Sequence, residues 1–288
     1  MSAPTRTPAG GPPSARPAAP GVPFGRRARR WLGANALRIY AVLAFAYIFL
    51  PVVYVTIFSF NEGGKSNIVW RGFTLKNWAD PCGAADVCSA VGNSLKIGLL
   101  STAIATVLGT MAAFALTRYR FRGRTPTNLL IFLPMATPEV VLAASLLTLY
   151  LNLGLPLGFW TVVIAHVMFS ISFVVVAVKA RVASLDPRLE QAAMDLYASE
   201  FATFWRVTFP LVAPGIAGAA LLAFSLSFDD YIITSFNSGD VNTFPKFVYV
   251  AAQRGIPAQA YVVGAAMFFV ALLIVFVGEA LRRRREVR

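Results

Sequence analysis

Long blocks of apolar residues, separated by short polar segments, dominate the hydropathy pattern of this chain. They cover about residues 39–59, 95–117, 128–151, 160–178, 209–236 and 260–280. A helix rises about 1.5 Å per residue, so roughly 20 mostly apolar residues cross a hydrocarbon layer of about 30 Å, and each block reaches that length. Lipid offers no partner for backbone N–H and C=O groups, so each block is predicted to be helical. The expected fold class is an all-α membrane protein with six transmembrane helices, in a membrane domain running from 35 to 285.

Composition supports this and charge refines it. Hydrophobic residues make up 57% of the 288 residues and charged residues only 14%, too apolar for a single soluble core. The formal charge of +13 raises nucleic-acid binding, but the basic residues follow the membrane instead. Arg26, Arg27, Arg29, Arg30 and Arg38 precede or open the first block, and Arg118, Arg120, Arg122 and Arg124 separate the second from the third. Lys179, Arg181, Arg188 and Arg206 lie between the fourth and fifth, and Arg282, Arg283, Arg284, Arg285 and Arg288 follow the last. The alternate segments keep only Lys65, Arg71, Lys76, Lys96, Lys246 and Arg254. The positive-inside rule then puts both termini in the cytoplasm of a bacterium, with the chain in its cytoplasmic membrane and no nucleic acid as partner. Residues 1–34, rich in Pro, Ala, Gly and Arg, are expected to form a disordered basic tail, with Arg26 to Arg30 resting on anionic lipid.

Candidate chemistry is sparse. Cys82 and Cys88 share the loop between the first two spans, on the outer, oxidising side, where a disulfide is expected and a zinc site is not. His166 falls inside the fourth span, where hydrogen-bonded packing is the plain expectation. Gly63, Gly64, Lys65 and Ser66 resemble the end of a phosphate-binding loop, but Ser59 occupies the position of the required first glycine. No catalytic residue, metal site or bound cofactor is expected, so the energy for any transport must come from a partner or an ion gradient. Three acids stand within the spans: Glu139, Asp229 and Asp230. A charge at mid-bilayer costs about 2.5–3.5 kcal/mol on insertion scales, so such residues either pack against a neighbouring span or line a path for a cationic solute. Glu139 is expected near mid-membrane, with Asp229, Asp230 and Tyr231 in the outer half or mouth of the fifth span.

The polar stretch from Asp186 to Pro210 carries a further signal. Asp186 followed by Pro187 is a helix start. Leu189, Ala192, Ala193, Leu196, Tyr197, Phe201, Phe204 and Trp205 recur at helical spacing, so an amphipathic helix, or two short ones, is predicted at the inner face. A helix lying in the headgroups usually carries Lys and Arg on its polar face, whereas this one carries Glu190, Asp195 and Glu200, which suits a cytosolic protein partner better.

This stretch resembles a known family. Glu190 to Phe201, closing with Val207 to Pro210, is similar to the coupling loop of binding-protein-dependent ABC importer permeases. Trp70 to Trp78, Asn93 to Ile97, Leu133 to Val141 and Leu226 to Phe236 resemble the spermidine/putrescine-type permeases in the same order. The resemblance implies a type I ABC importer permease fold, with coupling helices at 186–210 formed around Glu190, Gln191, Ala192, Ala193, Asp195, Leu196, Tyr197 and Ala198. It also implies inward transport of a small organic solute of the polyamine class by alternating access. Implied partners are a cytoplasmic ATPase dimer that holds ATP and Mg2+, a second permease subunit and an extracytoplasmic solute-binding protein. Gln191 stands directly before the Ala192–Ala193 pair where the family has glutamate, and Tyr197 replaces the family's glycine. Tyrosine disfavours positive φ, so the turn takes another form or the helix runs on. The rival reading is an ion-coupled secondary transporter of a small cationic solute, which calls for an inverted repeat that the sequence does not display and leaves the amphipathic loop unexplained.

Overall fold

The computed structural model describes residues 24–64 and 67–286. The chain divides into two compact units, Met1–Val53 and Tyr54–Arg288. Helix α1, Phe24–Phe58, begins inside the stretch expected to be a tail; residues 1–23 lie outside the described residues. Short α2 (Lys76–Ala79) is followed by the long α3 (Val87–Arg118), then by α4 (Arg124–Ala136), α5 (Glu139–Asn152) and α6 (Phe159–Ala183). The polar loop folds as α7 (Arg188–Asp195) and α8 (Glu200–Thr203), and a π-helical turn, Phe204–Thr208, leads directly into α9 (Phe209–Asp229). Helices α10 (Ile232–Asn237), α11 (Phe244–Arg254) and α12 (Ala258–Glu286) complete the chain. Among the described residues the one strand-like pairing is a bridge between Asn61 and Phe73.

Five segments are long and apolar enough to cross a membrane: Asn35–Phe58, Val87–Arg118, Phe159–Ala183, Glu200–Asp229 and Ala258–Gly278. The sixth expected span, 128–151, is a broken one. α4 and α5 bend by 107° about Thr137 and Pro138. The cause is local: a residue before proline is pushed out of the helical region, and Thr137 is extended with ψ 133. The fifth block also breaks, since Asp230 is extended and α10 restarts the helix at Ile232. The 128–151 and 209–236 spans expected from hydropathy are thus each two helices.

Helices α3, α6 and α9 pack most closely. Along α3 the buried positions include Ala90, Ser94, Gly98, Ser101, Ala105, Gly109 and Ala113, a stripe of small residues that lets neighbouring backbones approach. A Cβ added to Gly109 would fall 2.7 Å from Val174 Cγ1 on α6, and one on Gly98 would fall 3.1 Å from Phe224 on α9. Val174, Val175, Val178 and Val182 of α6 fill the space opposite, with Val212, Ala219 and Ala223 of α9. A second cluster joins α5, α6 and α10 through Leu142, Ala143, Leu146, Tyr150, Ala165 and Ile233. Thr161 locks it, its hydroxyl donating to the Asn237 carbonyl at 2.7 Å while Tyr150 donates to the Thr161 carbonyl at 3.1 Å.

The loop containing Trp70 to Trp78 is organised around Asn61, which is fully buried. Its amide oxygen accepts from Arg71 N at 2.8 Å, and its Nδ2 donates to Val69 O at 2.8 Å. Phe60 stacks between Phe73 and Trp78. The resemblance in this segment therefore has a structural basis: it is a self-supported loop braced by asparagine and aromatic contacts.

The packing at Gly109 is testable. Gly109→Ala is expected to destabilise the detergent-purified chain by about 1–3 kcal/mol through overpacking against Val174. Gly218→Ala, whose Cβ meets nothing within 4 Å, should leave thermal melting of the same preparation unchanged or slightly raised.

Candidate functional site

Both helix breaks bring carboxylates to the start of a new helix. Glu139 is the first residue of α5, where the unpaired N–H groups and the helix dipole favour negative charge. Asp230 accepts from Ile233 N at 3.2 Å and from Thr234 N at 2.8 Å, capping α10 with its side chain. α5 and α10 pack together, and Glu139 lies against Asp230. Asp229, beside it, is exposed. The three acids share one cavity of about 800 Å³, walled by Phe169, Phe224, Phe228, Tyr231 and Met267. Tyr231 stacks on Tyr249 of α11 with ring centroids 4.2 Å apart. Chemically the cavity suits a cation with an apolar stem, because carboxylates attract its charge and aromatic faces contact both its methylenes and its charge.

His166 completes the arrangement. Only 2% exposed, it sets Nε2 3.1 Å from Asp230 Oδ2 and 3.1 Å from Thr234 Oγ1, with Nδ1 2.6 Å from Ser227 Oγ. Ser227 continues to Ser101 on α3 at 2.9 Å. A polar chain therefore crosses from α3 through α9 and α6 to α10, tying Asp230 down while leaving Asp229 free. Of the acids weighed from sequence, Asp230 is held by the fold and Asp229 faces the cavity. His166 is hydrogen-bonded within the packed bundle, as its place in the fourth span suggested, whereas Ser227 and Thr234 were not singled out from sequence; a polar residue interrupting an apolar run cannot reveal its partner on another helix.

At the opposite end of α3 and α9 lies the polar loop. Arg188 N donates to Asp186 Oδ1 at 2.9 Å, and α7 starts one residue later than the Asp186–Pro187 pair predicted, with Pro187 rather than Asp186 at the N-cap. The helix does not run on. Tyr197 takes φ 62 and α8 begins after Ser199, whose hydroxyl accepts from Ala202 N at 3.3 Å. A tyrosine thus holds the left-handed position that glycine occupies without steric cost, and its side chain is 100% exposed. Leu189, Leu196, Phe201 and Trp205 are exposed around it. Gln191, Ala192 and Asp195 are exposed too, whereas Ala193 and Ala198 are half-buried and Glu190 turns inward. The two short helices thus leave several large apolar side chains in the open, as surfaces that meet another protein or a membrane do.

Far from this loop, Cys82 and Cys88 are joined by a disulfide with Cα atoms 5.4 Å apart. Among the described residues no group of three or more His, Cys, Asp or Glu side chains could hold a metal ion.

Broken spans that gather carboxylates around an open cavity, above an apolar patch on short loop helices, define a membrane-embedded transport component. Residues 105–286 match the family described as binding-protein-dependent transport system inner membrane component. The chain is 33% identical over 240 residues to the spermidine/putrescine transport system permease protein PotC of Escherichia coli strain K12, covering 83% of this chain and 90% of that protein. It is 33% identical over 254 residues to the putrescine transport system permease protein PotI of the same strain, covering 85% of this chain and 90% of that one. In fold it is similar to a subunit of a bacterial alginate ABC transporter solved in complex with an alginate pentasaccharide-bound periplasmic protein, with TM-score 0.63 at 16% identity over 91% of this chain and 97% of that one. This chain belongs to the family of binding-protein-dependent transport system inner membrane components, and its fold is that of an ABC importer permease.

Tyr197 supplies a direct test of backbone strain. A left-handed non-glycine residue costs about 1–2 kcal/mol, against about 0.5–1 kcal/mol for the extra chain entropy that glycine loses on folding. Tyr197→Gly is therefore expected to melt no lower than the parent chain in detergent, and a fall of several degrees would contradict the strain.

Proposed function

We propose that this chain is one permease half of an ATP-driven polyamine importer, working by alternating access. The single observation that carries the substrate class is the acidic, aromatic-walled cavity at the two helix breaks. A polyamine is a string of ammonium groups on methylene spacers, and carboxylates interleaved with Phe and Tyr faces match that pattern. The names of the relatives PotC and PotI point to the same class. The basic residues at the Arg118 to Arg124 end orient that end, with both termini, toward the cytoplasm. The opposite end, with the disulfide loop and α11, then faces outward, where a solute-binding protein delivers the polyamine.

Energy comes from outside the chain. The apolar patch of Leu189, Leu196, Tyr197, Phe201 and Trp205 is where a cytoplasmic ATPase, holding ATP and Mg2+, seats the 186–210 loop. A second permease subunit, a different chain, encloses the path from the other side. The exposure of Asp229 supports that reading, since one subunit leaves this carboxylate uncovered.

The two adjacent aspartates separate solute handling from scaffold. With the whole complex in vesicles, Asp229→Asn should lower labelled spermidine and putrescine uptake about tenfold or more, the loss of one charged hydrogen bond of about 1.5–3 kcal/mol, at unchanged protein level. Asp230→Asn should instead lower stability by about 1–3 kcal/mol, because it disturbs a buried network, and should show as reduced protein level or earlier melting. Wild-type uptake by the Asp229 variant would remove the cavity from the substrate path.

A further inference from the structure

Glu190 stands in the loop that the partner is proposed to seat, yet its side chain turns away from the exposed face. α7 presents Leu189, Gln191 and Asp195 outward, while the Glu190 carboxylate faces back into the bundle, about a quarter exposed. One oxygen, Oε1, accepts from Arg118 Nη2 at 2.8 Å and from Thr208 Oγ1 at 2.8 Å. Arg118 is the last residue of α3, and Thr208 is the last residue before α9. A single side chain therefore joins the exposed loop helix to both of these spans. α9 ends in the Asp229 that faces the acidic cavity, and α3 reaches the same network through Ser101 and Ser227.

What surrounds this contact makes it mechanical. A cavity of about 460 Å³ lies beside it, lined by Phe114, Arg118, Tyr119, Glu190, Thr203 and Phe204 among others. Within it Thr203 Oγ1 and Arg118 Nε are buried without a hydrogen-bond partner. α7 borders this open cavity through Glu190 and Met194, and the Glu190 hydrogen bonds span it. The helix leading into α9 is π-wound at Phe204–Thr208, a geometry common where a helix has to adjust. Absent the carboxylate, a push on α7 would collapse the void; with it, the push reaches the ends of α3 and α9.

We propose that Glu190 is a positioning residue that transmits displacement of α7 to α3 and α9, and that it forms no part of the surface the ATPase covers. This rests on the reading of residues 186–210 as the partner-driven loop.

The test uses the whole transporter in proteoliposomes, with its binding protein and labelled spermidine. Three quantities are read in one preparation: ATPase co-purification, ATP hydrolysis and uptake. Glu190→Gln keeps the shape and the hydrogen bond from Thr208 but removes the ion pair. It is expected to co-purify with the ATPase as the parent does and to keep hydrolysis within about twofold, while uptake falls about tenfold, the equivalent of one lost strong contact. The reversed pair Arg118→Glu with Glu190→Arg is expected to regain most of that uptake, which a residue merely needed for folding would not do. Should Glu190→Gln not reach the membrane at the parent's level, Thr208→Val, which removes only the second hydrogen bond, carries the test with the same split between uptake and hydrolysis. The proposal is overturned by undiminished uptake in Glu190→Gln, by a reversed pair no better than the single variant, or by loss of the ATPase in step with loss of uptake, which would make Glu190 a docking contact. Failure of the unmodified chain to bring down an ATPase would instead sink the reading of the loop itself.

Discussion

Lipid tails are as apolar as leucine, so burying leucine against leucine gains little in a membrane, and helices are held together by how closely they approach. Here that approach depends on the small-residue stripe of α3. Gly98, Ser101, Ala105, Gly109 and Ala113 admit the valines of α6 and the aromatic and small residues of α9 within van der Waals contact. The three helices form a close-packed frame, and the polar features are mounted on it. Ser101 lies in that stripe, so the surface that packs the frame also begins the buried hydrogen-bond chain to His166 and Asp230.

A frame of straight helices would leave no place for charge. The two breaks create it, because each exposes a helix start whose N–H groups receive a carboxylate. Pro138 causes the first and places Glu139 at the head of α5; at the second, Asp230 satisfies the N–H groups at the head of α10. Broken helices that present their ends at membrane depth are a recurrent solution for solute sites in transporters, since irregular backbone is tolerated there only where protein or water surrounds it. The two adjacent acids differ in setting: both line the cavity, but Asp230 is buried in hydrogen bonds and Asp229 is exposed.

The loop at the other end follows a parallel division. Its outer face is apolar and carries the Tyr197 turn, held left-handed against tyrosine's own preference, while its inner face carries the Glu190 carboxylate. Strain of this kind persists where the surroundings over-determine a conformation. Glu190 stands one residue before the position where the family resemblance puts glutamate, and its carboxylate faces the bundle.

Hydropathy by itself determined the membrane setting, the all-helical class and the positions of the four unbroken spans after the tail, because twenty apolar residues in lipid have no alternative to helix. The Asp186–Pro187 pair likewise marked the start of α7 to within one residue, and the acids in apolar runs marked Glu139, Asp229 and Asp230 as unusual. Hydropathy averages over breaks, however, so the 107° bend and the restart at Ile232 were invisible to it, and with them the meeting of Glu139 and Asp230. Where His166 points and how Glu190 meets Arg118 depend on partners 61 to 72 residues away in the chain. Local pattern carries no information at that distance; only the packing of α3, α6 and α9 decides it.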